Sequence, residues 1–280
     1  MNELELKAAQ TLIELALKED VGEGDITTDN IIPAESRRKA KMVAKADGVV
    51  AGLPVAEMVF RSLDSHLVWN VKTPEGTKVK KGDVMVEFEG TYRALLTGER
   101  TALNFLQRLS GIATMSAKYA DTVKDFKTVI LDTRKTLPGF RMLDKYAVKT
   151  GGASNHRIGL YDMAMIKDNH IEVAGGITKA IEAVRSKIKP GILIEVETTT
   201  LEQVQEAIDA KADIIMLDNM DTVTMKKGVE LIGGRAKVEA SGNMTLERLR
   251  EVAATGVDYI SIGALTHSVS ALDISQRLEN

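Results

Sequence analysis

The sequence predicts an α/β protein in two parts, a small α+β unit followed by a longer half in which strands and helices alternate as in a parallel sheet or barrel. Three observations carry this. Residues 39–92 hold alternating segments punctuated by glycine and proline. Beyond residue 128, short apolar β-rich runs alternate with amphipathic helical windows, the later runs beginning at residues 192, 214, 237 and 259. Each run ends in polar residues, which is how the active face of a β/α barrel is laid out.

The elements follow in order. Leu4, Leu6, Leu12, Ile13, Leu15 and Leu17 recur with roughly helical spacing, and the glycines and capping residues of Asp20–Asp29 end that helix near Lys18. Ala40–Ala46 and Val84–Glu89 alternate as strands, separated by Gly48, Gly52, Pro74-Glu-Gly76 and Lys81-Gly-Asp83. The segment Pro74–Val86 resembles the turn of biotinyl and lipoyl carrier domains. No lysine stands in a carrier-like hairpin, however, and tight turns need glycine for backbone reasons alone.

Leu103, Leu106, Leu109, Ile112, Met115 and Tyr119 hold a helical period, with Gly111 a break or close-packing point. Apolar runs then stand at Val129–Leu131, Met163–Ile166, Ile192–Ile194, Ile214–Leu217, Lys237–Val238 and Tyr259–Ile262. Six runs are clear, with a seventh expected only if one lies between Leu143 and Val148, so the count alone leaves an incomplete barrel open. The expected division is residues 1–112 and 113–267, with 268–280 returning to the first domain.

Composition narrows the function classes. At 280 residues and 44% hydrophobic content, the chain can bury the core of one large or two smaller domains. A net charge of −3 gives no general attraction to nucleic acid or anionic lipid. Without cysteine, there are no disulfides, thiolate metal sites or thiol nucleophiles, and any metal must sit on carboxylates or imidazoles. The first residues are acidic where a secretory leader needs basic ones, and no stretch approaches the roughly 20 apolar residues of a membrane span. A soluble, cytoplasmic protein with no membrane partner is expected.

Against this acidic background, Thr133-Arg134-Lys135, Asn155-His156-Arg157 and Lys167 to His170 bring cations to strand ends. Guanidinium forks hold planar carboxylates by paired hydrogen bonds, and lysines act as point charges for phosphates. Glu197 and Asp218 end consecutive strands, with Glu195 on the same side of its strand as Glu197. Such carboxylates hold ribose hydroxyls or a hydrated magnesium ion, directly or through water, or else simply neutralise the neighbouring cations. Ser241-Gly242-Asn243 and Gly263-Ala264 follow the last two strands, where barrels bind phosphate through close backbone approach.

Together these features predict an enzyme acting on a phosphorylated sugar and an anionic co-substrate. One rival takes Lys167, after the apolar run Met163–Ile166, as a Schiff-base lysine of a barrel aldolase, which borohydride trapping would reveal. A non-catalytic binding protein would be expected to have lost some of Arg134, Lys135, Lys167, Glu197 or Asp218, and all are present.

The motifs Asp132–Arg141, Gly151–Asp162 and Ile166–Ile171 resemble those of quinolinate phosphoribosyltransferase, the decarboxylating nicotinate-nucleotide pyrophosphorylase. The likeness extends to Glu19–Thr28, Gly98–Phe105, Glu195-Val-Glu197, Leu217-Asp-Asn219, Glu239–Gly242 and Ile262–His267, covering essentially the whole chain with no charged motif position altered. It implies an N-terminal α/β sandwich domain packed against an incomplete α/β barrel of the phosphoribosyltransferase type, usually in a dimer or higher oligomer whose partner completes each site. It also implies a reaction: quinolinate and 5-phosphoribosyl 1-diphosphate give nicotinate mononucleotide, pyrophosphate and carbon dioxide, with Mg2+, on the route to NAD.

By the resemblance, Arg134, His156, Arg157 and Lys167 match the quinolinate pocket, and Arg100 an arginine inserted from the neighbouring subunit. Lys135, Glu197 and Asp218 match positions meeting the phosphoribosyl diphosphate and its magnesium. Ser241, Gly242, Asn243, Gly263 and Ala264 match the loops around the 5-phosphate. Lys135, Lys167, Glu197 and Asp218 are the residues expected to act in catalysis, one of the two lysines assisting decarboxylation. A paralogue with the same fold and another substrate, such as the protein associated with molybdate transport genes, would not need the dicarboxylate pocket that these residues preserve.

Overall fold

The computed structural model describes residues 1–279. In chain order they form α1 (Glu3–Val21), α2 (Thr28–Ile31), β1 (Arg37–Ala44), β2 (Gly48–Val49), α3 (Leu53–Leu63), β3 (Val68–Val71), β4 (Lys78–Val79), β5 (Val84–Thr91), α4 (Tyr92–Thr97) and α5 (Glu99–Val123). Then come β6 (Val129–Leu131), α6 (Arg141–Thr150), β7 (Ala164–Ile166), α7 (Asp168–Ala174), α8 (Ile177–Arg185), β8 (Ile194–Thr198) and α9 (Leu201–Asp209). The chain closes with β9 (Ile214–Asp218), α10 (Thr222–Ile232), β10 (Lys237–Ser241), α11 (Leu246–Ala253), β11 (Tyr259–Ser261), α12 (Ala264–His267) and β12 (Ile274–Leu278).

These elements fall into two compact units. The first comprises Met1–Ala117, Thr136–Gly152 and the segment from Ala264 onward; the second comprises Lys118–Lys135 and Ala153–Gly263. The units therefore cut the chain differently from a break at residue 112, because α6 and its flanks belong to the first.

The first unit is built on an antiparallel sheet of order β12-β1-β5-β3. β12 pairs with β1 from Ala40↔Leu278 to Ala44↔Ile274, so the end of the chain supplies an edge strand to the sheet that the N-terminal third begins. Under this sheet Phe60 of α3, Phe88 of β5 and Trp69 of β3 cluster, with centroids 5.0 and 4.9 Å apart for the Phe60–Phe88 and Trp69–Phe88 pairs. Phe60 is fully buried, so its truncation to alanine would cost roughly 3–5 kcal/mol.

Helix α1 runs three residues past the expected end at Lys18. Glu19, Asp20 and Val21 are compatible with helix, and the stop is set by Gly22, whose N–H makes the last helical bond to the Lys18 carbonyl and whose positive φ of 57° turns the following chain away. Its start is fixed by a capping box between Asn2 and Glu5. The N-terminus of α3 is held by Glu75, whose carboxylate accepts from the Gly52 and Leu53 amides at 2.8 Å each and from the Tyr146 hydroxyl of α6.

The region Leu143–Val148, a candidate seventh strand, is helical. All six of its residues are buried. A short run such as Tyr146–Val148 suits a strand as well as a helix, and packing within the fold decides between them.

The second unit is a six-stranded parallel sheet of order β6-β11-β10-β9-β8-β7, with the helices between strands packed against it. Each of the six sequence runs meets a strand here, although β8 begins only at the last residue of the run Ile192–Ile194. β6 and β7 stand at the two ends of the ladder, and a single parallel bridge from Ser154 adds to Leu131 of β6. The register puts Glu195 opposite Ile214 and Glu197 opposite Met216, and then Met216 opposite Glu239 and Asp218 opposite Ser241. Successive strand residues point to opposite faces. One face therefore carries Met165, Glu195, Glu197, Met216, Asp218, Glu239 and Ser241, and the other carries Ile194, Val196, Ile215, Leu217, Val238 and Ala240.

The second set is apolar and buried, and the helices pack there. Gly228 of α10 marks the closest approach, since a Cβ on it would stand 3.2 Å from both Leu217 methyls. Side-chain caps fix the starts of α9 and α10: the Thr200 hydroxyl accepts from Gln203 N and the Asp221 carboxylate from Thr224 N. Among the described residues, no helix is long and apolar enough to cross a membrane.

Candidate functional site

The face of the parallel sheet opposite the helices concentrates the unit's functional groups at the C-terminal strand ends. Lys167 follows β7 immediately, and its Nζ lies 2.9 Å from Glu197 Oε2 of β8. The backbone here is set by His170, whose Nδ1 accepts from the Lys167 amide at 3.0 Å. Both partners of the ion pair keep contact with solvent, with side-chain exposures of 47% and 19%. A ligand can therefore compete for either of them.

Asp218 ends the next strand, and Asn219 Nδ2 donates to its Oδ2 at 2.6 Å. Asn219 holds a left-handed backbone (φ 54°) and also receives Asn243 Nδ2 on its Oδ1 at 3.3 Å. The turn after β10 closes over it: the Asn219 amide donates to Ser241 O at 3.0 Å, and Gly242 packs directly on the Asn219 side chain. Arg248 ties the turn to the preceding loop, donating to Met220 O at 2.6 Å and to Gly242 O at 3.4 Å. A glycine turn, an adjacent asparagine and two partly exposed carboxylates thus share one rim. Gly263 ends the second unit after β11, and Ala264 opens α12 in the first unit.

The cationic side is organised around His156. Asp132, fully buried after β6, accepts from the His156 amide at 2.8 Å on Oδ1. The His156 ring in turn accepts the Arg157 amide on Nδ1 at 2.8 Å. Arg157 Nη1 donates to Met163 O at 3.1 Å, which fixes the root of its guanidinium. Burial and the nearby charge of Arg134 both push the Arg157 pKa down, so the two guanidiniums share a field that favours an arriving anion. Arg134 is half-buried and Lys135 exposed, with the Lys135 amide held by Thr133 Oγ1 at 3.1 Å.

A feature not anticipated from sequence lies behind these residues. His156 Nε2 stands 3.0 Å from Glu195 Oε2 and 3.3 Å from Glu239 Oε2, and the three side chains are 7% exposed or less. None of the four carboxylate oxygens meets hydrogen-bond geometry with a donor among the described residues, and His156 Nε2 is the polar nitrogen standing beside them. Burial and the neighbouring Glu239 charge raise the Glu195 pKa to about 7, against the opposing pull of His156. Burial opposes the imidazolium while the two carboxylates favour it and raise the His156 pKa. The Arg157 contact decides the form: Nδ1 accepts an N–H, so the ring proton is on Nε2.

The signal for this cluster was present in the sequence as acids inside apolar strand runs, at Glu195 and Glu239. Expectation placed His156 against a substrate carboxylate, whereas both of its ring nitrogens face protein groups. The three ligating atoms lie within 4.8 Å of one another, close enough for a metal ion. A histidine that binds metal presents its lone pair to the ion and donates from the other nitrogen. Here Nδ1 is an acceptor, which leaves no lone pair on Nε2. Glu197 and Asp218, partly exposed and oxygen-only, suit a hydrated magnesium ion better.

Arg100 lies exposed on α5 in the first unit. Its role rests on the sequence resemblance alone.

Two family models match the chain. Residues 25–110 match the family model "Quinolinate phosphoribosyl transferase, N-terminal domain", and residues 112–277 match its C-terminal domain. A probable nicotinate-nucleotide pyrophosphorylase [carboxylating] of Synechocystis is 47% identical over 265 residues, covering 94% of this chain and 90% of the relative. Its counterpart in Bacillus subtilis is 46% identical over 275 residues, with 98% and 94% covered. Among solved structures, NadC from Streptococcus pyogenes superposes with a TM-score of 0.94 at 40% identity, each chain covered to 96%.

Proposed function

Because the chain belongs to the quinolinate phosphoribosyltransferase family and is a decarboxylating phosphoribosyltransferase of NAD biosynthesis, we propose that the strand-end residues described above carry its reaction. The enzyme transfers phosphoribosyl from 5-phosphoribosyl 1-diphosphate to quinolinate, giving nicotinate mononucleotide, pyrophosphate and carbon dioxide. The observation that carries the assignment of roles is the Lys167–Glu197 pair beside Asp218, with Arg157 anchored nearby on the same unit.

Arg134, Arg157 and Lys167 receive quinolinate's two carboxylates, joined by Arg100 of a neighbouring subunit in a homodimer or larger oligomer. His156 belongs to the same pocket through Arg157. Lys135 meets the diphosphate, and Ser241, Gly242, Asn243, Gly263 and Ala264 surround the 5-phosphate. Glu197 and Asp218 hold the ribose hydroxyls and, through water, Mg2+. When bound, Mg2+ supplies positive charge to the departing pyrophosphate.

Entry of quinolinate separates Lys167 from Glu197, freeing the lysine for a substrate carboxylate and the glutamate for the ribose. As the glycosidic bond to pyrophosphate breaks, positive charge develops on the ribose, and Glu197 and Asp218 stabilise it. Quinolinate's ring nitrogen then attacks the anomeric carbon. The quaternary ring nitrogen in turn stabilises the electron pair left when the adjacent carboxylate departs as carbon dioxide, and a proton replaces it. Lys135 or Lys167 assists that step by charge. The site lies in a protein of the cytoplasm.

The test incubates purified protein with phosphoribosyl diphosphate, Mg2+ and either quinolinate or nicotinate. Nicotinate mononucleotide from quinolinate alone supports the dicarboxylate pocket. Product from nicotinate refutes it.

A further inference from the structure

Two buried glutamates facing one histidine call for an explanation, because each burial removes a charged or polar group from water. A resident metal ion would provide one, but the Nδ1 contact with Arg157 leaves Nε2 protonated and unable to ligate. A general acid offering a proton to substrate is equally excluded for His156, since both ring nitrogens are engaged inside the protein.

What remains is orientation. A neutral imidazole carries its proton on one nitrogen only, and its partners choose which. Two carboxylate oxygens at 3.0 and 3.3 Å favour Nε2–H, and that choice leaves Nδ1 as the acceptor for the Arg157 amide. The His156 amide is separately pinned by Asp132. The backbone at Arg157 is thus fixed from two sides: by Asp132 through the preceding peptide and by the imidazole through its own N–H. The guanidinium then leaves that anchored point towards Met163 O.

We propose that Glu195 and Glu239 are positioning residues for quinolinate recognition, acting by selecting the His156 tautomer that holds Arg157 in place. The inference rests on Arg157 being a quinolinate contact. It explains why acids interrupt apolar strands two residues from a site they do not themselves line, and why they come from strands on either side of β9, so that the ring is clasped between them.

A glutamine at either position keeps size and shape but can donate. An amide N–H directed at Nε2 drives the ring proton to Nδ1, where it opposes the Arg157 N–H. Glu239→Gln and Glu195→Gln are therefore expected to raise KM for quinolinate about tenfold, the scale of one lost orienting hydrogen bond, while leaving KM for phosphoribosyl diphosphate within about twofold. Nitrogen-15 NMR of histidine-labelled protein, with the His156 signal assigned by its loss in His156→Asn, is expected to read Nε2–H in the parent and Nδ1–H in the glutamine variants.

An unchanged quinolinate KM in both folded variants overturns the proposal. So does an Nδ1-protonated His156 in the parent enzyme, which needs no variant to fold, or a stoichiometric metal ion lost on replacing either glutamate. Arg157→Lys separates the two layers. If it leaves quinolinate KM unchanged, the reading of Arg157 fails; if it raises KM while both glutamine variants do not, only the tautomer argument fails.

Discussion

Gly242→Ala tests whether the turn after β10 governs phosphoribosyl diphosphate through Asn219. The backbone at Gly242 has φ of 89°, a left-handed conformation that costs a residue with a Cβ about 1–2 kcal/mol. The new methyl would also stand 2.6 Å from Asn219 Cγ and 3.0 Å from its backbone N, so the asparagine side chain must turn away. Turning it breaks the 2.6 Å bond to Asp218 Oδ2. Hydrogen bonds to charged groups contribute about 1.5–3 kcal/mol, and this one lies at the surface, so the lower end applies. About 1.5 kcal/mol corresponds to roughly a tenfold fall in kcat/KM for phosphoribosyl diphosphate. The backbone strain lowers Tm by about 2–8 °C. Steady-state kinetics at saturating quinolinate, paired with thermal melting, measure the two effects separately. Adding Asn219→Gly should leave kcat/KM low, because Asp218 still lacks its partner, and should not recover the Tm lost to the positive φ at residue 242. A Gly242→Ala enzyme that melts lower but retains its kcat/KM for this substrate would refute the reasoning.

Three further outcomes are expected. Lys167→Met removes the partner of Glu197 and should lower kcat by about 10²-fold or more, with single-turnover carbon dioxide release slowed; unchanged release in both Lys167→Met and Lys135→Met would exclude either lysine from the decarboxylation step. Arg108 holds the fully buried Asp144 by two bonds, of 3.1 and 2.8 Å, so Arg108→Met strands a buried acid at a cost of about 3–5 kcal/mol and should lower Tm by about 6–20 °C. Arg108→Met combined with Asp144→Leu should recover most of that loss, and a double variant no better than the single one counts against a charge-burial cause. At Asp64, burial pushes the pKa up, but the Thr91 and His66 amides and the Arg37 charge outweigh it and hold the group below the ordinary aspartate range. The folded state therefore binds this proton more weakly than the unfolded chain does. The stabilisation is fully present above the unfolded value of about 4 and is lost as pH falls below it. Tm should drop more steeply on acidification in the parent than in Asp64→Asn, and parallel acid limbs would contradict this.

Most of the second unit could be read from sequence because strand periodicity and strand-end chemistry coincide there. The six apolar runs became six strands, and the acids at 197 and 218 fell on one face because each lies an even number of residues along its strand from other inward positions. The first unit was harder to read. Its α6 carries only a short apolar run at Tyr146–Val148, which suits strand and helix alike, and the charges of Asp144 and Lys145 gave no sign that they are buried. Pairing of β12 with β1 joins residues 230 or more positions apart, and no local pattern in either strand specifies such a partner. In the site, the long reach of His156 to strands β8 and β10 escaped notice for a related reason. Glu195 reads from sequence as a companion of Glu197 and Glu239 as part of a motif, and only the fold brings the two to one imidazole.

That cluster also divides labour across the sheet in a way that can be measured. The helix-facing side of β8, β9 and β10 is apolar and stabilising, whereas the opposite side buries two carboxylates against a single histidine. Desolvating two carboxylates is costly and a neutral imidazole offsets little of that cost, so apolar residues of similar volume should fill the same space at a gain on the order of 1–4 kcal/mol. Combining His156→Leu with Glu195→Leu and Glu239→Leu should therefore raise Tm while abolishing saturation by quinolinate. Single replacements of either glutamate should not show this gain, since each leaves the other carboxylate still buried beside the imidazole. If the triple variant melts well below the parent, the cluster is a net structural support, and the view that these strands give up stability to aim an arginine at its substrate is wrong.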